Sequence, residues 1–219
     1  MRGAVIGSLG YALFMALLLF VSAGTLDWPM AWIFLAASLI VFLAGIVGTD
    51  PGLTAERSRR HSDSRRWDRA LVSAIVLLGF IVLIVAGLTH RFVPGGQIPL
   101  LFQLAAFVMM LLGNGLVIWA TRSNSFFSAT FRIQHDRGHT VVSNGPYRYV
   151  RHPGYIGMIA STIFQPLILG SVWALLPAIV AVALFVIRTN LEDRALCAEL
   201  GGYRDYASRV RYRLIPGVW

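Results

Sequence analysis

Two short stretches hold most of the side chains able to do chemistry. "GPYRYVRHPGYIG" (145–157) sets two arginines, a histidine, three tyrosines and two prolines directly against a long apolar run. "RTNLED" (188–193) puts Arg188 and Glu192 four residues apart, on one helical face, with Asp193 beside them. An arginine fork can hold a carboxylate, a glutamate an ammonium, and a tyrosine ring can stack on a flat heterocycle. As an exposed ion pair, Arg188–Glu192 would be worth only a few tenths of a kcal/mol. Its place at the last apolar turn argues for more, since an arginine there is costly unless it snorkels or has a task.

Other chemistries lack support. His135, Asp136, His139 and His152 invite a metal reading, but the H-x3-H spacing crosses an expected turn and has no cysteine ligands, so no metal site is expected. No serine sits in a G-x-S-x-G context. Phosphate-loop and G-x-G-x-x-G fingerprints do not occur. The single cysteine, Cys197, excludes an internal disulfide and reads as a small buried hydrophobe in a helical stretch.

The elements that position these groups are membrane helices. Of the 219 residues 57% are hydrophobic and 13% charged, against an apolar share of roughly 45–50% in soluble domains. Uncharged runs long enough to span, at about 20 residues per crossing, predict six transmembrane helices at 4–24, 30–48, 70–89, 98–121, 154–170 and 172–188. Gly170 and Ser171 form the expected turn of the last pair. Five crossings with a re-entrant pair is the competing count. The first run exceeds the roughly 7–15 residues of a signal-peptide core and reads as an uncleaved helix. The fold class is thus an all-α integral membrane protein. A small cytoplasmic cap is expected from the 122–153 loop and the C-terminal tail. Residues 1–121 supply helices one to four, 122–219 the functional core, as one structural unit.

Charge orients the chain. The net charge is +9, and all 19 basic residues are arginine. Arg2, six arginines within 49–69, five within 122–153, and Arg188 with five more in the tail fall on one side; Arg91 falls on the other. By the positive-inside rule both termini and both long loops are cytoplasmic, in a cell inner (plasma) membrane. Arginine without lysine points to a GC-rich, bacterial genome. The basic balance matches anionic lipid headgroups rather than nucleic acid.

Local patterns add detail. The loop "TDPGLTAERSRRHSDSRRWDR" reads as a solvated basic face with Trp67 at the interface. Gly113 permits close helix packing, and Asn114 reads as glue between helices or as a polar wall of a cavity. Alternation around Asp136-Arg137-Gly138 predicts a hairpin pairing Phe131–Gln134 with Thr140–Val142. Asn144-Gly145-Pro146 gives a turn, and Pro153 suits a first helical turn. Tyr203, Tyr206, Arg209 and Arg211 space an amphipathic helix for the interface.

"GHTVVSNGPYRYVRHPGY", followed about forty residues later by "RTNLEDRAL…GGYRDYASRVRYRLIPG", resembles the C-terminal core of the isoprenylcysteine carboxyl methyltransferase family. The related phospholipid methyltransferases carry a similar R-H-P-x-Y and acidic pair. The resemblance covers roughly 122–217. It implies an S-adenosylmethionine-dependent methyltransferase acting on a lipid-like or small hydrophobic acceptor. By position, Gln134, His139, Thr140, Val141, Val142, Gly145, Tyr147, Arg151, His152, Tyr155 and Glu192 would form the cofactor pocket. Arg188 and Glu192 would flank the reacting groups. One departure is the pair Glu192-Asp193 where the phospholipid enzymes usually show two glutamates. That favours a prenylcysteine-like carboxylate over a phospholipid amine or a thiol. An NADPH-dependent reductase of the membrane sterol type is the alternative that shares R-H-P-x-Y.

Overall fold

A computed structural model describes residues 2–47, 51–58, 64–93 and 98–219. Its helices are α1 (Arg2–Ala23), α2 (Pro29–Ile46), α3 (Pro51–Ser58), α4 (Arg66–Phe92), α5 (Leu100–Ser123), α6 (Pro153–Ile168), α7 (Leu175–Glu199) and α8 (Tyr203–Arg209). Single 3-10 turns lie at His135–Arg137 and Gly145–Arg148. Five helices (α1, α2, α4, α5 and α7) are long and apolar enough to cross a membrane. Apolar side chains far out on them face outward, among them Ile6, Val21, Ile40 and Leu101 at 66–75% exposure. A surface of that kind belongs in lipid, not water. The protein is an all-α, multi-pass membrane protein.

The remaining expected span, 154–170, is α6, which has 16 residues and carries Pro166 near its end. At 1.5 Å per residue it measures about 24 Å, short of the roughly 30 Å hydrocarbon core. Its end still reaches the same level as the ends of its neighbours. Ser171 donates to Thr89 Oγ1 at 2.8 Å beside the end of α4. Gly170 (φ 71°) turns the chain there, as expected. Close packing on α5 holds α6 in place: a Cβ on Gly157 would lie 2.3 Å from the Gly113 carbonyl oxygen. Gly113 thus plays its expected packing role. Asn114 does not bridge helices; its amide donates to Met110 O, 2.9 Å away in its own helix.

Helix α7 continues past the expected end at 188 to Glu199 because Thr189, Asp193 and Leu196 form a buried stripe at helical spacing. Since α6 begins at Pro153, level with the Arg188–Asp193 stretch of α7, the last turns of α7 rise beyond it. Loop 124–152 and the tail fill that step. Their shared core contains Phe131, Ile133, Tyr147, Leu196, Leu200, Tyr203 and Tyr206.

Two local expectations change. No strand forms among the described residues. The hairpin is absent because Phe131 gives its N–H to Asp68 (2.6 Å) and its carbonyl to the Arg65 N–H (3.3 Å). Those are the groups a partner strand would need. Loop 49–69 is not wholly a solvated face: Leu53 and Glu56 on α3 are buried, and Trp67 stacks on Phe131 with centroids 5.8 Å apart. Residues 49–50 and 59–63 of that reading lie outside the described residues.

Candidate active site

The R-H-P segment is fixed by its backbone before its side chains are considered. Pro153 opens α6 at N1. Arg151 and His152 donate their N–H groups to the carbonyls of Tyr212 and Arg213, both at 2.9 Å. The tail therefore pairs with this segment and does not lie on the surface as an amphipathic helix. Within α8, Tyr203 and Tyr206 point inward and are buried. Arg211 falls beyond its end.

Asp193 is the hub. It is 2% exposed and receives Arg151 Nε (2.7 Å) and NH2 (2.9 Å), Tyr203 OH (3.0 Å) and Arg213 Nε (2.7 Å). His152 Nε2 lies 3.2 Å away. Arg151 places its NH1 hydrogens on the carbonyls of Val210 and Arg211, both at 2.8 Å. Four of its five N–H groups are thus committed, so Arg151 serves as scaffold and not as a fork for a bound carboxylate. A buried carboxylate with this many donors is neutralised where it stands.

Arg188 and Glu192 do not pair with each other. Arg188 reaches Asp68 at the start of α4, through Nε (2.6 Å) and NH2 (3.2 Å), and Ala129 O through NH2 (3.1 Å). Its guanidinium carbon lies 5.3 Å from the centre of the Tyr155 ring. Tyr155 in turn donates its hydroxyl to Glu192 Oε2 at 2.5 Å. His152 Nδ1 stands 3.9 Å from Glu192 Oε1. The result is a row of Asp68, Arg188, Tyr155 and Glu192 drawn from three helices.

Loop 124–142 closes the other side. Asn124 donates to Tyr147 OH at 3.3 Å. His139 stacks on Phe126 with centroids 4.4 Å apart, and its Nδ1 accepts the Gln134 N–H at 3.3 Å. Burial, then the nearby His135, Arg132 and Arg137 charges, pushes its imidazole down to about 4, so it is neutral at physiological pH. Burial drives the Tyr147 and Tyr203 phenols well up, so both stay protonated. Arg132 anchors the loop to α3 through Glu56 at 2.9 Å and also holds Asp136 at 2.7 Å.

These parts enclose a cavity at the step between α6 and α7, with about 910 Å³ of empty space including its open mouth. Of the twelve residues that the resemblance assigns to the cofactor pocket and the reacting groups, His139, Thr140, Val141, Val142, Tyr147, Arg151, His152, Tyr155, Arg188 and Glu192 line it. Two do not. Gln134 is buried behind the wall, its amide nitrogen donating to Phe126 O at 2.8 Å. Gly145 (φ 53°) sits against α5, where a Cβ would fall 2.4 Å from Ser123 Oγ.

Sequence reasoning missed Asp68, the hub role of Asp193, and the wall residues Phe126, Phe127 and Arg57. Asp68 did leave a signal: an acid at the first turn of an apolar run is as costly as Arg188 at the last.

Among the described residues, the lining offers the Glu192 carboxylate, the guanidinium groups of Arg188 and Arg57, and several aromatic faces. That is the chemistry of a zwitterionic ligand with a flat ring, bound beside an anion. S-adenosylmethionine carries an ammonium that Glu192 suits and an adenine that the aromatic faces suit, and the lining fits these two groups.

Residues 104–198 match the family model of the isoprenylcysteine carboxyl methyltransferase (ICMT) family. The chain is also 30% identical over 112 residues to a protein-S-isoprenylcysteine O-methyltransferase of Schizosaccharomyces pombe. That match covers 50% of this chain and 48% of the relative, so the chain spans about half the length of the curated relative it matches.

Proposed function

Starting from a chain that carries a segment of the isoprenylcysteine carboxyl methyltransferase superfamily at 104–198, we propose that it transfers a methyl group from S-adenosylmethionine to a carboxylate of a prenylcysteine-like or isoprenoid acceptor drawn from the membrane. The observation that carries this reading is the separation of Arg188 from Glu192: four residues apart, unpaired with each other, and both facing one cavity.

When bound, S-adenosylmethionine supplies a methyl group on a positively charged sulfur, and its transfer to a carboxylate oxygen leaves a methyl ester and the neutral thioether. Glu192 would hold the ammonium, and the Phe126–His139 stack and Tyr147 would offer faces to the adenine. Arg188 would take the acceptor carboxylate. Both reacting groups arrive in reactive protonation states, so the side chains act by alignment and by keeping water out. Asp193 is turned into its hub, which leaves Glu192 as the single carboxylate of the acidic pair at the cavity. This favours a carboxylate acceptor, which has no proton to lose, over an amine.

The cavity lies at the arginine-rich end of the bundle, so we assign that end and both termini to the cytoplasm, in the plasma (inner) membrane. On the same reading, residues 1–121 and 122–219 work as one unit.

The test incubates purified protein with methyl-labelled S-adenosylmethionine and an S-prenylated N-acetylcysteine, then treats the organic phase with alkali. Label released as methanol is expected. Label that enters and survives alkali moves the acceptor to nitrogen, sulfur or an ether oxygen.

A further inference from the structure

Asp68 falls in the loop read as a solvated basic face and lies outside the matched segment, yet it is fully buried, at 0% exposure. Its Oδ1 takes Arg188 Nε at 2.6 Å, and its Oδ2 takes Arg188 NH2 at 3.2 Å and the Phe131 N–H at 2.6 Å. One edge of the Arg188 guanidinium is therefore locked in a bidentate fork. The second NH2 hydrogen goes to Ala129 O.

NH1 is different. None of the hydrogen bonds of Arg188 among the described residues uses it. No buried side-chain nitrogen among those residues lacks a partner. NH1 is thus accessible, and the open space beside Arg188 is the cavity it lines. The ring of Tyr155 covers one face of the guanidinium, so rotation about the remaining bonds is restricted.

We propose that Asp68 is the positioning residue for Arg188: it holds the Nε/NH2 edge so that NH1 alone is presented to the acceptor's carboxylate in the cavity. The same carboxylate ties the Phe131 backbone to α4, so the wall segment 129–131 and Arg188 are set by one group. The N-terminal helices then complete the reaction site through Asp68 as well as anchoring it. The proposal rests on the methyl-transfer reading above.

The purified protein and its Asp68→Asn, Asp68→Glu, Arg188→Lys and Asp68→Asn/Arg188→Lys variants are compared by methylation of the S-prenylated N-acetylcysteine and by S-adenosylmethionine binding. Asp68→Asn is expected to lower kcat at least tenfold, with the Kd for S-adenosylmethionine changed less than twofold. Asp68→Glu should recover part of the loss. In the Arg188→Lys background, Asp68→Asn should cost nothing more, since the two act through one group.

The proposal is overturned by an unchanged kcat, by losses that multiply in the double variant, or by cofactor affinity falling in parallel with kcat. Should the wild type methylate no prenylcysteine, the function reading fails, and the exchange protection of the Arg188 Nε–H by nitrogen-15 NMR decides the positioning claim. Protection lost in Asp68→Asn upholds it; protection retained overturns it.

Discussion

The two ends of this bundle are built from the same helices and hold opposite kinds of interior. At the cavity end Glu56, Asp68, Arg132, Arg151, Arg188 and Asp193 are all buried. Their pairings join distant parts of the chain: Arg188 with Asp68, Arg151 with Asp193, Arg132 with Glu56. At the other end, the buried polar side chains among the described residues are two hydroxyls, Thr89 and Ser171. Around them lie Leu19, Trp28, Ala31, Val82, Leu83, Ala86 and Ile168. Buried ion pairs are often no better for stability than well-packed apolar groups of the same size. The three buried pairs at one end are therefore better explained by the cavity-lining groups they hold in place than by added stability.

The hub is where that contrast breaks most completely. Asp193→Ala leaves Arg151 and Arg213 without their carboxylate and Tyr203 without its acceptor. Removing one partner of a buried charge pair costs about 3–5 kcal/mol. A clear fall in the thermal midpoint in detergent is expected, together with loss of S-adenosylmethionine binding by calorimetry. An unchanged midpoint would show that the charges carry no structural weight and would dissolve the comparison.

Glu192→Gln sharpens it instead. Glu192 faces the cavity and accepts one hydrogen bond, from Tyr155, so the fold should survive with little change. The Kd for S-adenosylmethionine should rise about 10- to 100-fold, the fold-change of a charge-assisted bond worth about 1.5–3 kcal/mol. If affinity holds while the midpoint falls, Glu192 is scaffold like Asp193.

A smaller effect belongs to pH. His139 takes its proton in the folded protein only near pH 4, against 6.5 for an unperturbed imidazole. Between those values the unfolded chain binds more protons. Stability should therefore be retained above pH 6.5 and fall as pH drops towards 4. His139→Gln should flatten that part of the stability–pH curve measured by denaturant titration. A curve with the same slope in both proteins would assign the dependence to another group.

What the sequence revealed follows the range of the interactions. Five of the six expected spans, the α6–α7 turn at Gly170 and Pro153 at a helix start are local in sequence, and each was legible. Part of the cavity wall was legible too: Val141, Val142, Tyr147, Arg151, His152 and Tyr155 all come from the contiguous "VVSNGPYRYVRHPGY". The pairing of Arg188 was not. Helical spacing offered Glu192, whereas the real partner lies 120 residues away. The expected hairpin failed for a related reason: alternation in 131–142 is a local signal, but the backbone groups at Phe131 are claimed by Arg65 and Asp68. Asn114 satisfied itself within its own helix, an outcome that composition does not distinguish from a bridge.

The smallest expected effect comes from the opposite end and tests whether the two ends are independent. Ser171 is fully buried; it donates to Thr89 Oγ1 at 2.8 Å and accepts the Ala174 N–H at 3.2 Å, which closes the turn into α7. A hydroxyl bridge of this kind inside a membrane bundle is worth about 0.6 kcal/mol. Ser171→Ala should therefore move the thermal midpoint slightly and leave both S-adenosylmethionine affinity and methyl transfer unchanged. Ser171 stands only a few residues from the start of the helix that carries Arg188, Glu192 and Asp193. A fall in turnover with an unmoved midpoint would mean that the seating of α7 at its far end sets the geometry of the site. The charged end would then no longer be self-contained, and the division between a structural end and a chemical end would have to be redrawn along α7.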